Sequence, residues 1–180
     1  ADNSSIKKLS ITDIGTDYSF RPLSGLKNLE ELSIYEYDWL IKADIAQYLA
    51  KLPKLRTINF GYGSIAHYGD YTDVFSLPQV TKIVSFSPKS DGSGINYIIL
   101  SVKSLRDNKV LKELDLSGTE IYNNDVDKGS TDKFGVYANK FLSHFPNLRK
   151  LNLANTYIEN LDFVDKMPSL EELNISGNYV

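Results

Sequence analysis

An α/β solenoid is the fold class this sequence predicts: one short parallel strand per repeat, joined by outer segments of mixed helix, 3₁₀ turn and loop. Three observations lead to it. The triplet Leu-x-x-Leu-x-Leu recurs as Leu111/Leu114/Leu116, Leu148/Leu151/Leu153 and Leu170/Leu173/Ile175, and such recurrence specifies a stacked array. Relaxed to any aliphatic or aromatic residue, it also fits Ile6/Leu9/Ile11, Leu29/Leu32/Ile34, Leu55/Ile58/Phe60 and, with one defect, Val80/Ile83/Ser85, which makes seven units in 180 residues. Finally, Pro53, Pro78, Pro146 and Pro168 each stand two residues before a first triplet position, where a fixed φ suits the corner from outer segment to strand.

Side chains of a strand alternate, so the second and third triplet positions point into the stack and the residues between them point out. Parallel pairing then forces the chain around the outside between strands. First positions are separated by 23, 26, 25, 31, 37 and 22 residues, so the outer segments vary in length. At the fourth unit Ser85 stands where an apolar residue is needed. A one-residue bulge burying Val84 and Phe86 instead would restore the alternation.

Among the outer segments, Asp44 is placed to cap a helix to Leu52, with Ile45, Tyr48, Leu49 and Leu52 on one face and Pro53 as its stop. Asn96 could cap a second helix to Asp107, with Ile99, Leu100, Val102 and Leu105 as its apolar side. Thr131 or Asp132 opens the strongest, packed through Phe134, Tyr137, Ala138, Phe141, Leu142 and Phe145 and ended by Pro146. Tyr18 to Leu26 and Leu161 to Met167 suit 3₁₀ turns. Three polar or tyrosine-rich stretches, residues 61–77, 87–94 and 121–130, read as loops beside one rim.

The composition is that of a soluble globular protein, 42% hydrophobic and 24% charged. A formal charge of −3 with scattered Lys and Arg argues against nucleic acid as a partner. No apolar run approaches the roughly 18 residues of a membrane span, so no membrane insertion is expected. Zero cysteines excludes disulfides, thiolate metal sites and thiol nucleophiles.

Residues 148–170, LRKLNLANTYIENLDFVDKMPSL, and the following LEELNISGNYV resemble the compact repeat of bacterial internalins, as does TDYSFRPLSGLKNL at residues 16–29. The fold this implies is the leucine-rich repeat solenoid, a curved horseshoe with its parallel sheet on the concave face. Three residues beyond the triplet stand Thr119, Thr156 and Asn178, each followed after one residue by Ile121, Ile158 or Val180. In the family an Asn there bonds exposed backbone at the end of the strand. The first four units carry Ile14, Tyr37, Gly63 and Pro88 instead, so the polar ladder is expected only toward the C-terminus. Trp39, equivalent to Ile121 and Ile158, reads as core. The resemblance implies protein recognition, often adhesion or host-cell contact, in a bacterial surface or secreted protein.

Counting along every unit but the fourth, whose register is least defined, puts positions three, five, seven and eight on the inner face. Candidate partner-binding residues there are Asp13, Glu31, Tyr35, Glu36, Asn59, Tyr62, Glu113 and Asp115, with tyrosine suited to contact by its rigid area and polar tip. Acidic residues outnumber basic ones in this count, favouring a protein ligand with a basic patch. The face measures about 500 Å² from strand spacing, against roughly 800 Å² for a standard footprint, so a rim loop is expected to join it.

Enzyme chemistry finds no support: His67 and His144 belong to none of the familiar catalytic motifs, and no cofactor is implied. Asn123-x-Asp125-x-Asp127 starts like a calcium loop. Lys128 and Phe134 occupy its sixth and twelfth positions, which excludes an EF-hand. A looser calcium site at Asp125 and Asp127 stays open beside a plain solvated turn. The whole of residues 1–180 is expected to be one domain, part of a longer polypeptide, with self-association through uncovered ends as the other outcome. The function that follows is a non-enzymatic recognition module; the alternative is an architectural spacer within a multidomain protein.

Overall fold

The structure, a computed structural model, describes residues 5–12, 19–35, 45–61, 71–86, 96–123, 125 and 134–180. Its strands are β1 (Lys8–Thr12), β2 (Glu31–Tyr35), β3 (Thr57–Gly61), β4 (Lys82–Phe86), β5 (Asn96–Leu100), β6 (Glu113–Asp115), β7 (Thr119–Asn123), β8 (Lys150–Asn152) and β9 (Glu172–Asn174). Seven of them form one sheet in the order β1-β2-β3-β4-β6-β8-β9, parallel throughout. The register runs Leu9, Leu32, Ile58, Ile83, Leu114, Leu151, Leu173. All seven triplets therefore stack at their second positions, and the apolar spacing alone set the register.

The fourth strand needs no bulge. Ile58 pairs with Ile83 and Phe60 with Ser85, so Ser85 points inward at 0% exposure while Val84 is only half-buried. A hydroxyl is tolerated there because it lies 3.2 Å from the Thr119 hydroxyl, which itself donates to the Ser85 carbonyl at 2.8 Å. A satisfied polar pair replaces one apolar contact.

The expected helix from Asn96 does not form. Residues 96–100 are β5, and β5 pairs in parallel with β7 in a second, two-stranded sheet: Ile98 with Ile121, Leu100 with Asn123. Ile99, Leu100, Val102 and Leu105 fit a helical spacing, but the buried set is Ile98, Leu100, Val102 and Leu105, with Ile99 half-buried. Alternation and two adjacent isoleucines favour the strand. The polar loop expected from Ile121 likewise yields to β7 at its start.

Helices on the outer side are α1 (Ile45–Leu49), α2 (Thr72–Phe75) and α3 (Phe134–Leu142), with 3₁₀ turns at Arg21–Gly25 and Val164–Lys166, the two short segments expected to form them. α1 stops earlier than expected, because the N–H groups of Lys51 and Leu52 bond three residues back to Tyr48 and Leu49. Its proposed cap Asp44, and Thr131 and Asp132 ahead of α3, lie outside the described residues, as do Trp39 and residues 62–70 and 87–94. The stretch expected to be loop through Leu77 instead ends in α2. In the core behind the sheet, Phe75, Phe134, Phe141 and Phe145 pack edge-on or tilted, with centroids 5.1–6.2 Å apart.

Asn108 is a buried polar member of this core, 1% exposed. It stands three residues before the first triplet position, where other units carry Leu52, Leu77, Phe145 and Met167, all buried. In those units the triplet N–H bonds the backbone carbonyl three residues back. Here the Asn108 side-chain oxygen accepts from Val110 and Leu111 at 3.1 and 3.0 Å, and its amide donates to the carbonyls of Phe75 and Leu77 at 3.1 and 3.0 Å. One side chain thus ties the fourth unit to the fifth with both donors and both lone pairs used.

Candidate functional site

Position three of the repeat forms a continuous row across the inner face: Lys8, Glu31, Thr57, Lys82, Glu113, Lys150, Glu172. Neighbouring strands bring opposite charges side by side. Lys8 and Glu31 are 2.8 Å apart, Lys82 and Glu113 2.8 Å, Lys150 and Glu172 2.7 Å. Each candidate glutamate on the described face is therefore matched by a lysine, and the acidic excess counted from sequence is largely neutralised in this row. Lys82 escaped that count because the fourth strand was left out of it; its place before Ile83 was the available signal.

Glu31 and Asn59 come together. The Asn59 amide donates to the Glu31 carboxylate at 3.2 Å and to the Ser33 hydroxyl at 3.0 Å. The hydrogen bond from Lys8 pulls the Glu31 carboxyl below its ordinary value against the opposing effect of desolvation; the charge of Lys8, the Asn59 amide and the charge of Lys82 pull the same way. The bond to Glu31, then its charge, raises Lys8 in turn. Tyr35, half-buried, ends β2 between Thr12 and Gly61. Glu113 and Asp115 sit two strands beyond β3 on β6. Asp115 accepts from the Ser117 N–H at 2.9 Å and the Asn152 amide at 3.0 Å. Asp13, Glu36 and Tyr62 lie outside the described residues.

Not every position counted as outward is free. Ser33, Gly118 and Ala154 are buried. Position eight is a turn, and Gly118, Asn155 and Gly177 adopt φ of 66, 56 and 71° there, a left-handed conformation that favours Gly and Asn. Just beyond it, Asn178 performs the expected ladder role. Its oxygen accepts from Thr156 and Ile158 at 3.1 and 2.9 Å, and its amide donates to the carbonyls of Leu153 and Ile175 at 2.7 and 2.8 Å. Thr156 donates to the Leu153 carbonyl at 2.6 Å.

Asp125 is already engaged. Its carboxylate accepts from the Ser101 hydroxyl and, at 2.6 Å, from the Lys103 N–H, capping the turn after β5; Asp127 lies outside the described residues. Among the described residues no three His, Cys, Asp or Glu side chains are grouped to hold a metal, and no helix is long and apolar enough to cross a membrane.

A parallel sheet with one strand per repeat, irregular outer segments and a polar ladder at the end of the strand define a leucine-rich repeat fold. A family profile of two-copy leucine-rich repeats matches residues 146–180. Among solved structures, a crystal structure of an internalin (inlF) from Listeria monocytogenes str. 4b F2365 superposes with a TM-score of 0.57 at 16% identity, covering 91% of this chain and 39% of that one. The chain spans well under half of that internalin's length, and at this identity the likeness concerns the fold. No curated protein matches the sequence. Residues 146–180 thus carry a pair of leucine-rich repeats, and the chain has the leucine-rich repeat fold seen in internalin.

Proposed function

We propose that the chain is a protein-recognition module of a bacterial surface or secreted protein, engaging its ligand through the concave sheet face and one adjoining rim. The observation that carries this reading is the open row of outward side chains across seven strands. Their charges are mutually paired and so held in place before a ligand arrives, which lowers the ordering cost of binding. Tyr35, Glu31, Asn59, Glu113 and Asp115 are the contact residues on this reading, joined by Asp13, Glu36 and Tyr62 at the strand ends. With about 500 Å² of sheet face against a roughly 800 Å² footprint, the rim after the strands supplies the remainder. Affinity capture from host extracellular proteins tests it: the wild-type chain should retain a ligand that the Tyr35→Ala/Glu36→Ala/Tyr62→Ala variant loses. Undiminished capture by the variant would sink the choice of surface.

A further inference from the structure

The charged row on the inner face has one break. Six of its seven members are long charged side chains; Thr57, between Glu31 and Lys82, is short and neutral. A cavity of about 410 Å³ opens there, lined by Lys8, Glu30, Glu31, Lys54, Arg56 and Thr57. Both of its carboxylates are taken: Glu30 by Lys7 at 3.1 Å, Glu31 by Lys8 at 2.8 Å and by the Asn59 amide at 3.2 Å. Its other two cations have no carboxylate partner among the described residues. The Lys54 ammonium donates to the Asn28 side-chain oxygen. Arg56 Nη1 donates to the carbonyls of Pro53, Leu55 and Gln79 at 2.9, 2.9 and 3.3 Å, which fixes the guanidinium while leaving its charge uncompensated.

We propose that this notch at Thr57 anchors a carboxylate side chain from an acidic segment of the protein ligand. The inference rests on the recognition reading above and reverses the partner chemistry expected from the sequence, where Lys8 and Lys150 were counted but Lys82 and the pairing of each lysine with a glutamate were not. A rigidly held guanidinium is the group best suited to a carboxylate. The depressed Glu31 stays ionised and bound to Lys8, so it neither shares a proton with an incoming acid nor offers an unpaired charge to a basic one. A cationic side chain entering the notch would meet Lys54, Arg56 and Lys82.

The test uses the isotope-labelled chain titrated with a short peptide alternating Gly and Glu, alongside the matching Gly-Gln and Gly-Lys peptides. The Glu peptide should give saturable amide shifts at Lys8, Arg56 and Thr57. Binding should weaken about tenfold in Lys54→Gln/Arg56→Gln, and equally in Thr57→Trp, which fills the notch without changing charge; Thr57→Met serves if the larger filler disturbs the spectrum. Equal binding of the Gln or Lys peptide overturns the proposal. So does retention by the filled variants, which would reduce the effect to diffuse charge, or stronger binding of an oligonucleotide at the same amides. A captured natural ligand lost by the Tyr35 triple variant but kept by the notch variants sinks the notch alone and leaves the recognition reading standing.

Discussion

The two C-terminal units and the two long units in the middle of the chain build the same sheet by different means. In residues 146–180 the repeat is tight, and the carbonyls and N–H groups freed where strand turns outward are met by Asn178 and Thr156. Between Val80 and Phe145 the units are longer. The equivalent demand falls on Thr119 bonded to Ser85, on the β5–β7 sheet and on Asn108. What every unit must supply is satisfaction of its buried backbone; which side chain does so is negotiable. That explains why the repeat profile covers only residues 146–180 while the structural match spans 91% of the chain.

The largest expected effect follows from the middle units. Asn108→Ala takes a donor from the buried carbonyls of Phe75 and Leu77, the latter still accepting from the Val80 N–H, removes the acceptor of the Val110 and Leu111 N–H groups and leaves a cavity, so it should cost about 3 kcal/mol, read by urea unfolding. A loss below about 1 kcal/mol would show that the middle units do not depend on this residue as the terminal ones do on theirs. Next comes Thr119→Val, which keeps the volume but removes the bond to the buried Ser85 carbonyl. About 1–2 kcal/mol is expected, with the Ser85→Ala/Thr119→Val double variant costing less than the sum of the singles.

The same contrast marks what could be read from sequence. Strand positions in the seven-stranded sheet were legible, because a period-two apolar pattern in a stacked array admits only one inward face. The exception is the fourth strand, where the expected bulge does not form and Ser85 keeps the inward position of its triplet beside Thr119. The second sheet was hidden: apolar residues from Ile98 to Leu105 satisfy both helical and alternating spacing, and only their pairing with Ile121 and Asn123, distant in sequence, decides between them. Asn108 was illegible for a related reason. A lone Asn ahead of a triplet looks like a turn residue, and two of its four bonds reach carbonyls 33 and 31 positions away in the chain. On the inner face Tyr35, Glu31 and Asn59 fall on half-buried positions, and Lys8 and Lys150 were countable from sequence, whereas Lys82 and the pairing of each lysine with a glutamate required the register.

A smaller effect comes from the terminal units. Asn178→Ala removes four hydrogen bonds, but from a half-buried position at the end of the array, where water replaces part of what is lost. About 1 kcal/mol is expected, less than for Asn108 although the bonds are equal in number. Amide exchange at Thr156 and Ile158 should accelerate, with residues before Leu111 unaffected. Equal losses at Asn178 and Asn108 would break the comparison, since burial would then have no bearing on the cost of an orphaned group.

The smallest effect lies on the solvent-facing row, where the same Lys-Glu pairing recurs in every region, as Lys8–Glu31 at the N-terminal end, Lys82–Glu113 in the middle and Lys150–Glu172 at the C-terminal end. Glu31 has a folded value below the ordinary 4.5. Its contribution to stability is therefore present above that value and disappears as pH falls through the depressed folded one. Lys8, raised from 10.5, carries the opposite sign: its contribution is present below 10.5 and lost as pH rises through the folded value. Both describe one exposed pair, so added salt should shrink them together. A carboxyl titration by NMR should give Glu31 a midpoint under 4.5, moving upward in Lys8→Ala and again in Asn59→Ala, the first shift being the larger. If Asn59→Ala moves the midpoint more than Lys8→Ala, the buried side of the row rather than the lysine zipper holds the carboxylate. Glu31 would then be set by its own strand neighbours, and the likeness between the two ends of the face would fail.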